Sequence, residues 1–245
     1  MNSRIIKIIA VTSMLIDHMG MVLLPEYTFL RIIGRLAMPL FCLLIAYGSI
    51  KTRSLFKYFL RLFVFAVISQ IWLDLVISGN VLTFDKLNVF FTLSLGVLSV
   101  WLIKKSPNFV VAFIYVLLLF FAVMTVMVFV QLDYDIAGIL LIILFYLGFK
   151  LDKFIKDKKY MARFLNSKPP LFVFKVSAVF SLLIFNLLLY ILSNWGIQWF
   201  SMFAVLVIVF FADKKLSITK AEKYAFYLFY PVHLGILYLL KPLMG

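Results

Sequence analysis

The stretch Ile5–Leu24, IIKIIAVTSMLIDHMGMVLL, decides how the rest of the chain is interpreted. Its length and apolar character are those of a helix that crosses a bilayer, which needs about 20 such residues. Adjacent Asp17 and His18 nevertheless lie well inside the apolar run, and Lys7 lies near its start. An ionisable side chain at the centre of a bilayer costs at least about 2.5 kcal/mol, so residues of this kind indicate a functional site by default.

The spacing of these residues places two of them on one face of the helix. Lys7 and His18 are eleven positions apart, close to three helical turns, so about 16 Å separates them along the axis. Asp17 points about 100° away from His18, because successive helical residues are rotated by that angle. Histidine is the side chain best suited to exchange a proton near neutral pH. His18 is therefore the leading candidate for a general base.

The composition of the whole chain is that of a membrane protein. Hydrophobic residues make up 65% and charged residues 14% of the 245 residues, whereas soluble domains average roughly 45–50% and about 25%. Because no long polar block interrupts the apolar runs, we predict a single all-α membrane domain over residues 1–245. The net charge of +14 would suit nucleic acid in a soluble protein. Here the basic residues cluster in short loops, which indicates membrane topology and no nucleic-acid partner.

Metal and disulfide chemistry have no support in the sequence. Cys42 is the single cysteine of the chain and lies in an apolar run, so neither an internal disulfide nor a thiolate metal site is predicted. The two histidines do not have the spacing of a metal-binding motif. We therefore expect no metal cofactor.

Apolar runs of about 17–25 residues are the template for membrane-spanning helices. About nine such segments are found, at residues 5–24, 28–50, 55–78, 87–103, 109–131, 135–151, 170–193, 195–212 and 221–241. Lys and Arg accumulate in alternate connections between them, and such positive charge marks cytoplasmic loops. The pattern predicts a multi-pass membrane protein with its N-terminus in the cytoplasm and its C-terminus outside.

Several polar residues fall at one level inside the predicted helices. Asp17, His18, Arg35 and His233 lie about 9–12 Å below the outer ends of their helices, at about 1.5 Å per residue. One interpretation is a buried polar network that holds the helices together around an Asp17–Arg35 ion pair. The other is a functional site. Further polar residues in the outer halves of the segments are Asp74, Asn88, Thr92 and Asn186.

Five blocks of the sequence closely resemble, in order, blocks of the TraX family. They are KIIAVTSMLIDHMGMVLLP (7–25), LRIIGRLAMPLFCLLIAYGSIKTRSLFKYFLRLFVFAVISQ (30–70), LNVFFTLSLGVL (87–98), QLDYDIAGILLIILFYLG (131–148) and FYLFYPVHLGILYL (226–239). The most specific motifs are Asp17-His18, Gly34-Arg35 with Pro39, Asn88 with Thr92, and Tyr230-Pro231-Val232-His233. The family contains the membrane acetylase that modifies the amino terminus of conjugative pilin. The resemblance therefore implies acyl transfer, with conjugation as one context.

TraX proteins are similar in turn to the larger membrane acyltransferase-3 group, whose first helix carries an Arg followed eleven positions later by a His. Lys7 and His18 have the same spacing here. Lys keeps the positive charge of Arg but loses its two-point grip on phosphate. The resemblance implies acetyl-CoA as the acyl donor, docked at the cytoplasmic mouth with its phosphates near Lys7, Arg4 and Arg61.

The resemblance also implies roles for the polar residues at the level of His18. His18 would act as general base on the acceptor, while Asp17 or His233 would hold its tautomer. Arg35, Asn88 or Thr92 would stabilise the oxyanion of the tetrahedral intermediate. The residues expected to bind the substrate are Asn88, Thr92 and Asp74. The acceptor would be an amine or hydroxyl of a pilin-like peptide, a secreted peptide or a surface glycan. Whether the acetyl group passes first to His18 itself is left open.

Two other classes of function fit the same polar residues. In a transporter or channel, Asp17, His18, Arg35 and His233 would form a proton or ion relay. No pair of broken helices occupies matching halves of the sequence, which counts against an inverted-repeat transporter. In a non-catalytic membrane assembly factor, the same residues would only hold helices together.

Overall fold

The computed structural model describes residues 3–81, 83–157, 171–193, 196–212 and 219–243. Within these residues the chain forms ten α-helices: α1 (Ser3–Val22), α2 (Thr28–Gly34), α3 (Ala37–Lys51), α4 (Leu55–Ser78), α5 (Val89–Lys105), α6 (Phe109–Met127), α7 (Asp135–Lys156), α8 (Phe172–Ser193), α9 (Ala204–Phe211) and α10 (Lys220–Leu240). Two-residue strands β1 (Lys86–Leu87) and β2 (Gln131–Leu132) pair in parallel. Two 3₁₀ helices cover Gly196–Phe203 and Lys241–Leu243.

The predicted all-α class is confirmed. Five of the described helical segments are long and apolar enough to cross a membrane, namely Arg4–Val22, Thr28–Lys51, Leu55–Ser78, Phe109–Met127 and Phe172–Ile191. Two further apolar segments, Gly196–Phe211 and Tyr224–Leu240, are shorter. A helix overlaps each of the nine predicted segments, but a count of nine membrane crossings stays a prediction because the other helices fall short in length or apolar content.

The second predicted segment, 28–50, is two helices in the structure. α2 ends at Gly34 and α3 begins at Ala37, while Arg35 and Leu36 between them keep right-handed helical backbone angles. Pro39 lies in the first turn of α3, where its missing N–H would have no helical acceptor within the new helix. Pro231 lies inside α10, which continues past it. The break in the second segment places Arg35 at a junction between helices.

The core of the bundle is built around α3. Ten of its fifteen residues are buried, and it packs against α1, α5 and α7. A helix that is hydrophobic on every side lies either in a protein core or in a membrane, and α3 is enclosed by other helices of the protein. α1 in turn packs against α2 and α10, which brings the first and last of the described α-helices together.

The two ends of the bundle differ in charge. α1 begins beside Arg4 and Lys7, α3 ends at Lys51, and α5 ends at Lys104 and Lys105. We call this the basic end. An ion pair between Arg4 and Glu222 joins the starts of α1 and α10 there.

The opposite end of the bundle, which we call the far end, carries the β1–β2 pair. Lys86 and Asp133 form an ion pair of 3.0 Å across this pair of strands. Lys241 donates a hydrogen bond of 2.9 Å to the carbonyl oxygen of Val76, which ties the end of α10 to the last turns of α4. The far end is therefore closed by contacts between segments that are distant in the sequence.

Candidate functional site

Two histidines meet where α1 packs against α10. Nδ1 of His18 lies 2.7 Å from Nε2 of His233. The ring centroids are 5.0 Å apart and the ring planes differ by 9°. A centroid distance this much longer than the nitrogen distance means that the rings lie edge to edge and share a hydrogen bond, with no stacking of their faces. The structure thus brings together the two histidines that the sequence placed at one level.

The direction of this hydrogen bond follows from a third group. Nδ1 of His233 lies 2.8 Å from the carbonyl oxygen of Phe229. A carbonyl oxygen can only accept, so Nδ1 of His233 carries a proton and Nε2 of its neutral ring accepts. Nδ1 of His18 must then donate, which leaves the lone pair of a neutral His18 on Nε2. The two bonds define Nε2 of His18 as the basic atom of the pair.

Aromatic rings hold the histidine pair in place. The Tyr230 ring stands at 66° to His18 and at 71° to His233, with centroid distances of 5.8 and 5.4 Å. Phe90 packs edge-on against Tyr230 with centroids 5.0 Å apart, and Phe229 stacks on His233 at 4.9 Å. Edge-to-face packing of this kind fixes ring orientation as well as burying apolar area. The pair therefore has one preferred geometry.

Asp17 belongs to a separate cluster with two arginines. Its Oδ1 accepts a hydrogen bond of 2.5 Å from Arg35, and its Oδ2 accepts one of 2.8 Å from Arg31. Arg35 also donates to the backbone carbonyl of Arg31 and to the side-chain oxygen of Gln198. The Asp17–Arg35 pair predicted from the sequence is present. Of the two residues expected to orient His18, His233 makes the contact, and the Asp17 carboxylate is bonded to guanidinium groups.

Gly34 allows α2 to approach the Asp17 carboxylate. A Cβ atom built at Gly34 would overlap the carboxylate of Asp17. Replacing Gly34 by alanine is therefore expected to lower the free energy of unfolding by about 1–3 kcal/mol, the usual cost of overpacking. Thermal unfolding of the purified variant in detergent measures this loss. Gly196→Ala is the control, because a Cβ there meets open space; equal losses in both variants would contradict the explanation.

Two cavities lie beside the histidine pair. The smaller one, the His18 cavity, has a volume of about 60 Å³, and its polar lining includes Asp17, His18, Arg31, Arg35, Lys86 and Asp133. The larger one, the Lys7 cavity, has a volume of about 280 Å³, and its lining includes Lys7, Tyr47, Lys51, Tyr58, Phe226 and Tyr227. The first contains groups that transfer protons and stabilise charge. The second combines positive charge at the basic end with aromatic walls.

The three residues expected to bind the donor, Lys7, Arg4 and Arg61, have different surroundings in the structure. Lys7 lines the larger cavity and lies 5.1 Å from the centroid of the Phe226 ring. Arg4 pairs with Glu222. Arg61 interacts electrostatically with Tyr58 and Tyr227, whose rings line the same cavity. Of these three residues, Lys7 alone lines one of the two cavities.

Three residues expected to bind substrate form hydrogen bonds within the protein. Asn88 caps α5, accepts from the N–H of Phe90, and donates to Gln70 and to the carbonyl of Ala66. The Thr92 hydroxyl donates to the carbonyl of Asp133. One oxygen of Asp74 accepts from Gln70, and the other has no hydrogen-bond partner among the described residues. Asn88, Thr92 and Asp74 line neither of the two cavities. Of the candidates for the oxyanion, Arg35 alone lines the His18 cavity.

Three residues of this region were not singled out from the sequence, namely Arg31, Lys86 and Gln198, and Tyr230 was named only as part of a motif. Arg31 could have been found, because it precedes Arg35 by four positions and so shares its helical face. Tyr230 stands in the block that contains His233. Lys86 and Gln198 come from distant segments, and no local pattern points to them. Among the described residues, no three His, Cys, Asp or Glu side chains are grouped so that they could hold a metal ion.

The sequence was compared with known proteins. It matches the family model described as TraX protein over residues 2–241. An uncharacterized protein of Rickettsia prowazekii (strain Madrid E) is 31% identical over 145 residues, which are 59% of this chain and 54% of the relative. The probable fimbrial assembly protein FimC, serogroup H1, of Dichelobacter nodosus is 35% identical over 105 residues, 38% of this chain and 43% of the relative. The chain spans about half the length of these curated relatives. No solved structure matches it.

Proposed function

Because the chain belongs to the TraX family, we propose that it is a membrane-embedded acetyltransferase that uses cytoplasmic acetyl-CoA to acetylate an acceptor on the outer side of the membrane. The observation that carries the proposal is the 2.7 Å bond between His18 and His233. It leaves Nε2 of His18 as a general base beside a small polar cavity. The Lys7 cavity reaches the basic end and has two lysines, Lys7 and Lys51, in its lining. A negatively charged donor such as acetyl-CoA would need positive charge of this kind along its path.

In the proposed reaction, Nε2 of His18 takes a proton from the acceptor amine while the amine nitrogen attacks the thioester carbonyl carbon. A C–N bond forms and the C–S bond of acetyl-CoA breaks. The proton passes from His18 to the departing thiolate, so the products are an acetamide and free CoA. A hydroxyl acceptor gives an ester by the same steps. If the acetyl group passes first to the enzyme, Nε2 of His18 is the nucleophile.

Arg35 is the residue best placed to stabilise the tetrahedral intermediate. Its guanidinium lines the His18 cavity and is held by Asp17 and Gln198. Donors that are fixed before the reaction stabilise developing negative charge most effectively, because they need no reorganisation during it. Asp17 therefore acts on the chemistry through Arg35, as a positioning residue.

We place the protein in the bacterial cytoplasmic membrane as a single domain with about nine crossings. The basic end would face the cytoplasm, because lysine and arginine accumulate on that side. This orientation puts the Lys7 cavity towards the acetyl-CoA pool and the His18 cavity towards the outside. The eleven-residue spacing of Lys7 and His18 also supports kinship with the membrane acyltransferase-3 group.

The acceptor class follows from the family and from one relative. The relative FimC is described as a probable fimbrial assembly protein, and fimbriae are built from exported subunits. We propose the N-terminal amine of a pilin-like or other secreted peptide as the acceptor, with a surface-glycan hydroxyl as the alternative. A non-catalytic role in fimbrial assembly is the second candidate function, favoured by the Asp17–Arg31–Arg35 network, which holds α1 against α2.

Replacing Lys7 by glutamine tests the donor site. The change should raise the KM for acetyl-CoA about 10- to 100-fold, as expected for one lost charge-assisted contact, and leave kcat nearly unchanged. Release of the CoA thiol by the purified protein in detergent, with and without a peptide that carries a free α-amine, gives both constants. Lys57→Gln is the matched control, because Lys57 is exposed and does not line the Lys7 cavity.

The outcomes of this experiment separate the candidate functions. A protein that neither consumes nor binds acetyl-CoA supports the assembly factor and overturns the acetyltransferase. Turnover that Lys7→Gln and Lys57→Gln change equally would keep the enzyme but remove Lys7 from the donor site.

A further inference from the structure

The His18 cavity and the Lys7 cavity meet at four side chains. Met14, Phe41, Val89 and Tyr230 line both cavities. Lys7 lines only the larger cavity and His18 only the smaller one. The residue that would hold the donor and the residue that would perform the chemistry are thus on opposite sides of these four side chains, which we call the constriction.

Of the side chains that form the constriction, Met14 is flexible, whereas Tyr230 and Val89 are held in position. Met14 precedes His18 by four residues, so the two share a face of α1, and methionine has a flexible, unbranched side chain. Tyr230 is fixed by its edge-on contacts with His18, His233 and Phe90. Val89 is the first residue of α5, directly after the Asn88 cap. Its backbone position is therefore set by the bonds of that cap.

We propose that the constriction, together with the small volume beyond it, selects the length of the acyl group that reaches His18. The inference rests on the proposed function. It specifies the donors as acyl-CoA thioesters with two carbons in the acyl group, and it excludes donors with longer acyl chains. The thioester carbonyl must pass Met14, Phe41, Val89 and Tyr230 before Nε2 of His18 lies beside the acceptor.

The volumes decide how long the acyl group can be. The His18 cavity has about 60 Å³, less than half of the roughly 150 Å³ that an apolar cavity needs to bind benzene, a ligand of six carbon atoms. An acetyl group carries one methyl beyond the carbonyl carbon, whereas a butyryl group carries two further methylenes. A methylene that the pocket cannot accommodate changes the ratio of the kcat/KM values of two substrates by about 10–200-fold. Two should therefore exclude butyryl almost completely.

The test measures release of the CoA thiol from acetyl-, propionyl- and butyryl-CoA by the purified full chain in detergent. Water serves as the acceptor, so the result does not depend on knowing the natural one. The wild type is expected to prefer acetyl-CoA to butyryl-CoA by at least about 100-fold in kcat/KM. Met14→Ala should lower this ratio about tenfold or more, and Val89→Ala should act in the same direction if the first variant does not fold.

Met19→Ala is the matched control, because Met19 lies on the same helix and lines neither cavity. An unchanged ratio in both constriction variants, an equal shift in Met19→Ala, or a wild type that accepts butyryl-CoA as well as acetyl-CoA would each overturn the inference while leaving the proposed enzyme intact. A protein that releases no thiol from any of the three thioesters, even with an amine peptide present, would overturn the proposed function and this inference together.

Discussion

Replacing His18 by alanine is expected to lower the rate of acetyl transfer by about 10²–10⁴-fold, the usual contribution of a positioned general base. The reason is the bond pattern at α1 and α10, in which the carbonyl of Phe229 fixes the proton on His233 and His233 fixes the proton on His18. Truncation at Cβ removes Nε2 of His18, the nitrogen whose lone pair these two bonds leave unshared. Initial rates with acetyl-CoA and an amine peptide measure the loss.

Two further measurements identify the cause of such a loss. The KM for acetyl-CoA and the melting shift that acetyl-CoA produces should stay near wild type in His18→Ala, since the donor is held in the other cavity. His233→Gln should reduce the rate by less than His18→Ala, because it removes the orienting partner and leaves the base. If His18→Ala keeps its activity, or if His233→Gln is the more damaged variant, the assignment of the base is wrong.

Replacing Asp17 by alanine should have the largest effect on stability, a loss of about 3–5 kcal/mol of unfolding free energy. Arg35 is buried with a side chain 6% exposed, and without Asp17 its guanidinium would lose the carboxylate to which it is hydrogen-bonded. Thermal or denaturant unfolding in detergent provides the measurement. Arg31 would also lose its ion pair with Asp17. The cost in unfolding free energy should be smaller there, because the Arg31 side chain is 30% exposed.

A double variant separates the charge effect from the loss of packing. A buried ion pair can often be replaced by apolar residues of similar volume at little cost, so Asp17→Leu combined with Arg35→Met should regain most of the lost stability. It should not regain activity, because the proposed mechanism places Arg35 at the oxyanion. Full stability in Asp17→Ala alone would show that the pair does not hold α2 against α1.

The sequence predicted the class of the fold and the central pair of residues for identifiable reasons. Apolar runs of bilayer length leave few alternatives to helices, because every backbone polar group in lipid must be bonded within its own segment. Counting residues from the ends of such helices gives depth, and depth placed His18 and His233 at one level. The same counting predicted the Asp17–Arg35 pair.

The remaining contacts depend on how helices rotate and pack, which a single sequence does not encode locally. Asn88 and Thr92 stand at the depth of a functional residue, yet their side chains cap α5 and bond a loop carbonyl. Depth alone cannot tell such a cap from a ligand. The choice between Asp17 and His233 as the partner of His18 required the rotation of α1 against α10. The contact of Gln198 with Arg35 joins residues 163 positions apart, beyond any local pattern.

The 215 residues between His18 and His233 have a consequence for biosynthesis. At about 5–20 residues per second, a ribosome that has finished the first helix needs roughly 10–40 s more to make the second histidine. During that interval the proposed base lacks its orienting partner. By the proposed mechanism, full activity would begin only once the last helix packs against the first, so a prematurely terminated product should be slow whatever else has folded.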